Sequence, residues 1–460
     1  MVVRLTKHIT KSSVVIFFAI FLCFTLGYIL KIPPVKLGID VLREKNFDIL
    51  QGKRVGVLTH YAAVDASGRT TFSILREALG ENLVAIFAPE HGLHGDCLDG
   101  KSFDSTKEEN VHIYAMYGLN GKPKPEWLDG LDVVVIDLRD IGIRYYTYWS
   151  SMIYMLVACA EKGTKVVVLD RPNPLGGKYV GGPSIDPEWC SFLGPIAEMP
   201  MFHGMTIGEI ANYICGTGIG IKAKDNIFRT SLKISSGVVS RTDIGLVTPP
   251  GVLAKLDLHV VKMEGWKRDM IWPETGLEWT ETSPRIKLWR DLCDYTITAP
   301  LCSITGNGGF GIKFKIDNNN NRHFGNIHFR KTKRRHTETY DSMIEKMKQI
   351  DLDSLAGCST KMIQIDGRWY LSINVVDLKK TVPALFGLTV TSLMQKWSDW
   401  EQINENDEPL TLMIKKHIGD REFIDALFRN KEINVKYFRN KWARQAKAFV
   451  KNTSPYYLYK

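Results

Sequence analysis

The stretch FAPEHGLHGD, residues 87–96, sets a glutamate between a proline and a histidine at the end of the apolar run LVAIF. Pro89 restricts the backbone ahead of Glu90, and His91, His94 and Asp96 follow within a few residues. A carboxyl group walled by apolar side chains at the end of a buried strand can deliver a proton to a leaving oxygen. Glu90 is therefore read as a catalytic acid, against the plainer alternative of an acid that caps the next helix. His91, His94 and Asp96 are close enough in sequence to be weighed as metal ligands. Gly92 and Gly95, however, describe a twisting loop rather than one ligand-bearing helix face, and no further cluster matches. No metal is expected.

A second chemistry-bearing stretch is DLRDIGIRYYTYW (137–149), which carries Asp137, Arg139, Asp140 and Arg144 beside Tyr145, Tyr146 and Tyr148. Either an acid–arginine pair steadies a helix start and the tyrosines are core, or the segment is a sugar platform. In the latter, rings cover apolar sugar faces while charged groups grip hydroxyls or a carboxylate. LDRPNP (169–174) sets Asp170, Arg171 and Asn173 in a tight turn, and MFHGMTIGE (201–209) sets His203 just before an expected helix start at Thr206. The His203 imidazole suits a ligand contact or a satisfied loop position. TGNGGFG (305–311) lacks the lysine and hydroxyl residue of a phosphate loop, and no G-x-G-x-x-G follows the first expected strand. Nucleotide binding is thus not expected, and no cofactor is implied.

The elements that must position these groups alternate between strand and helix. KRVGVLTH (53–60), LVAIFAPEHG (83–92), VHIYAMYG (111–118), LDVVVIDLRD (131–140) and KVVVLDRPNP (165–174) read as strands, with helices at 70–80 and 148–163. Continuous Val/Ile/Leu runs predict a parallel sheet covered on both faces, hence an open, doubly wound α/β domain of Rossmann-like type. In such sheets the ligand lies beyond the C-terminal strand ends. Four of those ends carry polar groups: His60 and Tyr61; Glu90 and His91; Asp137, Arg139, Asp140 and Arg144; Asp170, Arg171 and Asn173. Beyond residue 240 the chain turns rich in tryptophan and then in flexible loops, with helices expected at 338–350, 383–399 and 432–451. The expected division is a Rossmann-like domain over 36–285 and a smaller α+β domain over 286–460, with no internal repeat.

At 460 residues, with 44% apolar and 24% charged residues, the chain can bury sizeable cores in two to three domains. The net charge of +10 gathers towards the C-terminus, in KTKRRH (331–336) and FRNKWARQAKAFVK (438–451), without any accompanying nucleic-acid motif. A solvated basic helix face is the simpler account, and no nucleic-acid partner is expected. SSVVIFFAIFLCFTLGYIL (12–30) runs nineteen residues without a charge. As a helix it would span roughly 28 Å, about one hydrocarbon core. No A-x-A-like cleavage site follows, so the expectation is a signal anchor behind a short cytosolic tail, with the globular part outside the cytosol; secretion after cleavage is the alternative. The eight cysteines are scattered singly, without C-x-x-C or metal spacing, and are read as mostly buried thiols. NTS at 452–454 would permit glycosylation in a secretory host.

The segments PEHGLHGD, DLRDIGIRYYTY, VVVLDRPNPLGG, GGPSID, SFLG, HGMTIGEIA, MEGWKRDMIW and SPR, in that order, together with IKKHIGDREFIDAL and the closing YYLYK, resemble the bacterial exo-β-N-acetylmuramidase (NamZ-type) family over residues 36–460. That resemblance implies release of terminal N-acetylmuramic acid from the non-reducing end of peptidoglycan fragments. It also implies an active site in the cleft between a Rossmann-like domain and a smaller C-terminal one. By the same resemblance Glu90 is the catalytic carboxylate, and His91, Asp140, Arg144, Tyr146, Asp170, Asn173 and His203 lie in motifs near the cleft. Arg171 belongs with them as a strand-end group. In a glycosidase the second catalytic group would be Asp140, Asp170 or the substrate's own N-acetyl oxygen, and Arg144 would hold the lactyl carboxylate. The chain departs from the family pattern at HYAA (60–63), at His94, Arg139 and Gly182, and at ITGNGGFG (304–311), where the family carries an acid and an arginine. The rival expectation is therefore a membrane-tethered, catalytically silent carbohydrate-binding protein.

Overall fold

The computed structural model describes residues 34–97, 104–108, 111–117, 121–223, 246–284, 286–302, 310–316, 322–329, 358–365, 368–375, 379, 384, 414–429 and 433–460. Helix α1 (Gly38–Glu44) precedes β1 (Val55–Thr59), and α2 (Thr71–Leu79) leads into β2 (Leu83–Ala88). A hairpin of β3 (Thr106–Glu108) and β4 (Val111–Ala115) is followed by β5 (Val133–Asp137), α3 (Thr147–Lys162) and β6 (Lys165–Leu169). Next come the pair β7 (Gly181–Ser184) and β8 (Pro200–Phe202), α4 (Ile207–Thr217), the pair β9 (Ile221–Ala223) and β10 (Leu246–Thr248), and β11 (Leu258–Val261). After α5 (Trp289–Cys302), β12 (Phe310–Ile316), β13 (Arg322–Phe329), β14 (Cys358–Ile365) and β15 (Arg368–Val375) form an antiparallel sheet. Helices α6 (Arg421–Phe428) and α7 (Val435–Thr453) come last.

The main sheet has the order β11-β6-β5-β1-β2-β4-β3, parallel throughout except for the antiparallel edge strand β3. With β1, β2, β4, β5, β6 and β11 numbered one to six, the spatial order is 6-5-4-1-2-3, the doubly wound Rossmann arrangement. The order reverses between β1 and β5, so a crevice opens beyond their C-terminal ends. Every residue of β1 and β5 is buried, which explains their unbroken apolar sequence. Strand β11 escaped the sequence pattern because it is an edge: Leu258 and Val260 are only partly covered and His259 faces outward. Strand β3, TKE in sequence, is polar for the same reason.

Alternate strand residues feed two cores. Leu58, Phe87, Val134, Ile136, Val166 and Val168 join one cluster with α3 and α4, while Val55, Val57, Ile86, Val133, Val135 and Val167 join another with α1 and α2. Helix α3 is buried along nearly its whole length and ends at Gly163, whose φ of +79° is the left-handed turn that glycine adopts without strain. Helix α4 opens with a capping box in which Thr206 accepts from the Glu209 N–H and Glu209 accepts from the Thr206 N–H. The Thr206 hydroxyl also donates to Asp170 Oδ2 at 2.8 Å. Thr206→Ala removes both contacts and is expected to cost about 1–2 kcal/mol, read as a lowered urea midpoint.

The segment 414–460 packs into the same core as the first half of the chain: Ile418, Phe423, Phe438, Trp442 and Phe449 share a cluster with Tyr148, Ile153 and Phe202. Its last residues go deeper. Tyr459 Oη donates to Asp170 Oδ2 at 2.6 Å, and the Leu458 N–H to Glu209 Oε1 at 2.9 Å. The expected helix at 432–451 is α7. The helix expected at 338–350 lies outside the described residues, as does that at 383–399 apart from residue 384, and so does the proposed anchor over 12–30. Among the described residues no helix is long and apolar enough to cross a membrane.

Candidate active site

Glu90 follows β2 and is half-buried. Tyr117 Oη donates to its Oε1 at 2.5 Å and Thr147 Oγ1 to its Oε2 at 2.6 Å. Thr147 is the first residue of α3, so the carboxyl group sits at a helix N-terminus, where partial positive charge gathers. Both hydroxyls can accept as well as donate, so the contacts persist whether Glu90 carries a proton or not. His91 beside it has φ +72°, an uncommon conformation for a residue with a side chain, and its Nδ1 lies 3.0 Å from the Cys97 carbonyl. His94 instead reaches outward to Glu108 at 2.8 Å. The two histidines thus diverge, and among the described residues no group of three His, Cys, Asp or Glu side chains is placed to hold a metal.

At the switch point, His60 closes β1 and its Nε2 accepts the Arg139 backbone N–H at 3.0 Å. The His60 ring packs edge-on against Tyr148, 4.3 Å between centroids, and Tyr148 lies 4.7 Å from Tyr146. Burial holds His60 well below the usual imidazole range, with the Arg171 and Arg139 charges adding to that effect, so the ring is neutral. The Tyr146 and Tyr148 hydroxyls donate to the Thr282 carbonyl at 2.7 and 3.3 Å, and burial raises both phenols. Asp140 Oδ2 accepts from the Gly142 N–H at 2.7 Å, while its buried Oδ1 has no hydrogen-bond partner among the described residues. His203 Nε2 lies 3.5 Å from Asp140 Oδ2 without hydrogen-bonding geometry, and its Nδ1 accepts the Met205 N–H. His60 thus touches Tyr148, Tyr148 lies beside Tyr146, and His203 lies beside Asp140, at the C-terminal side of the sheet.

Four other sequence candidates are spent on structure. Arg144 is fully buried and donates to the carbonyls of Pro183, Met199, His417 and Ile418. The expected grip of Arg144 on a substrate carboxylate does not fit, because both terminal nitrogens already point at backbone oxygens. Arg171 forks onto Asp137 and reaches the Val64 carbonyl, and Asn173 bridges the Met205 carbonyl and the Leu175 N–H. Asp170 accepts from the N–H groups of Arg171 and Gly208 and the hydroxyls of Thr206 and Tyr459, which leaves it no open side for a substrate.

Burial, helped by the Glu209 charge, pushes Asp170 up to about 7 against the Tyr459, Gly208 and Thr206 donors. Between about pH 4 and 7 the folded chain then holds a proton that the unfolded chain has lost. Stability from this group falls as pH rises through that window, by about 1 kcal/mol per unit, and is flat above it. Urea midpoints at pH 5 and 7.5 are expected to show this fall in the wild type and to lack it in Asp170→Asn.

The structure adds residues that sequence reasoning did not assign to the site. Tyr117 and Thr147 hold Glu90; Tyr117 falls inside the expected strand 111–118, whereas β4 ends at Ala115 and leaves it beyond the strand. Trp272 and Trp279, earlier mere aromatic texture, enclose the Arg139 guanidinium at 3.9 and 4.7 Å from their ring centroids.

Residues 55–290 match the family described as exo-beta-N-acetylmuramidase NamZ, N-terminal. The chain is 36% identical over 258 residues to the peptidoglycan beta-N-acetylmuramidase NamZ of Bacillus subtilis (strain 168), a match covering 56% of this chain and 54% of that one. The chain thus spans about half the length of the curated relative it matches. A crystal structure of a DUF1343 family protein from Bacteroides fragilis NCTC 9343 is similar at TM-score 0.70 and 26% identity, covering 93% of this chain and 99% of that one. A second DUF1343 family protein from the same organism shares the fold at TM-score 0.56 and 20% identity, with the same coverage.

Proposed function

Because this chain belongs to the exo-β-N-acetylmuramidase NamZ family, we propose that it is a glycoside hydrolase acting on peptidoglycan fragments, releasing a terminal N-acetylmuramic acid or a related amino sugar from the non-reducing end. The observation that carries this is Glu90, a carboxyl group at a strand end, fixed through both oxygens by Tyr117 and Thr147 beside the Rossmann crevice. In this role Glu90 protonates the glycosidic oxygen as the bond to the anomeric carbon breaks, and then takes a proton from the incoming water. The oxocarbenium-like transition state needs a second group. Of the two aspartates, Asp140 is favoured over Asp170, because Asp140 retains a free oxygen whereas Asp170 is consumed by four donors. His60, His91, Tyr146 and Tyr148 line the sugar site in this scheme.

Location follows from the substrate: the globular part works outside the cytosol, with the 12–30 segment as its membrane anchor and a domain division near 285, all argued from sequence. The test is turnover by the full chain on two chromogenic β-glycosides, one of N-acetylmuramic acid and one of N-acetylglucosamine. Release from the first at a rate well above the second is expected. No release from either, by folded protein, would overturn the assignment.

A further inference from the structure

Arg139 is 2% exposed, yet its Nε and Nη2 have no hydrogen-bond partner among the described residues. Those two nitrogens share one edge of the guanidinium and present parallel N–H bonds, the fork that matches a carboxylate. Trp272 and Trp279 pack on the cation, and their own buried indole Nε1–H groups also lack an acceptor. Around this one cation, four donor nitrogens are thus without a hydrogen-bond partner among the described residues. Asp137, the last residue of β5, is engaged by Arg171, and no bond joins Arg139 to Asp140. An uncompensated buried charge is costly, and so is each unpaired buried donor.

The surroundings sharpen this. Burial, with the Arg171 charge adding to it and the Tyr146 phenol opposing it, lowers the Arg139 guanidinium to about 9, so the group remains a cation at neutral pH. Its backbone N–H is tied to His60 across the point where strand order reverses, which is where ligands lie in such sheets. β5 and β2 flank β1, so Arg139 and Glu90 follow strands two spacings apart, about 10 Å. One amino sugar with an acidic arm can bridge that span.

We propose that Arg139 is the residue that recognises the acidic group of the substrate, taking a sugar carboxylate side-on through Nε and Nη2 between Trp272 and Trp279. This deepens the hydrolase assignment and rests on it for the sugar, while the anion site itself is read from the unpaired donors. Arg144, with both terminal nitrogens directed at backbone carbonyls, is replaced in that role.

Binding tests it independently of turnover. By calorimetry the wild-type chain should bind free N-acetylmuramic acid at least ten-fold more tightly than its methyl ester or N-acetylglucosamine. Arg139→Gln should erase that preference while leaving the weak binding of the neutral sugars unchanged, and Arg139→Lys should restore part of it. Equal binding of acid and ester by the wild type, binding of neither, or a preference that survives in Arg139→Gln would overturn the proposal; the wild-type comparison holds even where a variant fails to fold. A preference for the acid that depends on Arg139, without release from any glycoside, would sink the hydrolase assignment and leave the anion site standing. Equal turnover of acid and ester glycosides would do the reverse.

Discussion

Glu90→Gln is expected to lower release from a chromogenic N-acetylmuramic acid β-glycoside by about 10²–10⁴-fold, the usual worth of a positioned general acid. Glutamine keeps the size and shape of the side chain. Its carbonyl can accept from one hydroxyl and its amide can donate to the other, because the Tyr117 and Thr147 hydroxyls each work in both directions. The urea midpoint should therefore stay close to that of the wild type. Only the transferable proton is gone. Activity retained within three-fold would remove Glu90 from the chemistry, whatever the fate of the fold.

Arg144→Met is expected to do the opposite, costing about 3–5 kcal/mol of stability while leaving KM unchanged for whatever fraction stays folded. Methionine fills the stem of the cavity but cannot donate. Four carbonyls then lose the Arg144 donor: Pro183, Met199, His417 and Ile418, at 2.6–3.0 Å in the wild type, with Met199 keeping the Ile185 N–H. The last two belong to a segment more than 270 residues further along the chain, so the substitution also loosens how residues 414–460 seat on the sheet. Thermal and urea unfolding check the first claim, and Michaelis kinetics at low temperature check the second. A raised KM with unchanged stability would return Arg144 to the substrate.

The strands could be seen in the sequence where both faces are buried, because the runs 133–136 (VVVI) and 166–169 (VVVL) have no polar residue within them. β11 could not, since an edge strand with a half-covered face has no such signature. Strand-end position also put Glu90 just past β2 and His60 just past β1, where the structure has them. What the sequence left open was the direction of each side chain. Arg139 and Arg144 stand five residues apart in one motif, yet one has an empty fork and the other none. The difference lies in partners far along the chain, the Trp272 and Trp279 rings for one and the 417–418 carbonyls for the other. Local spacing carries no record of contacts at that separation.

The Tyr459 phenol that closes over Asp170 has a consequence in time. Asp170 and Tyr459 are 289 residues apart. At ribosomal speeds of about 5–20 residues per second, roughly 15–60 s separate the making of one from the other. For that interval the nascent sheet carries Asp170 short of one of its four donors, and Glu209 lacks the Leu458 N–H. The main sheet can collapse early around its valines, but its polar centre sets only when residues 457–460 arrive.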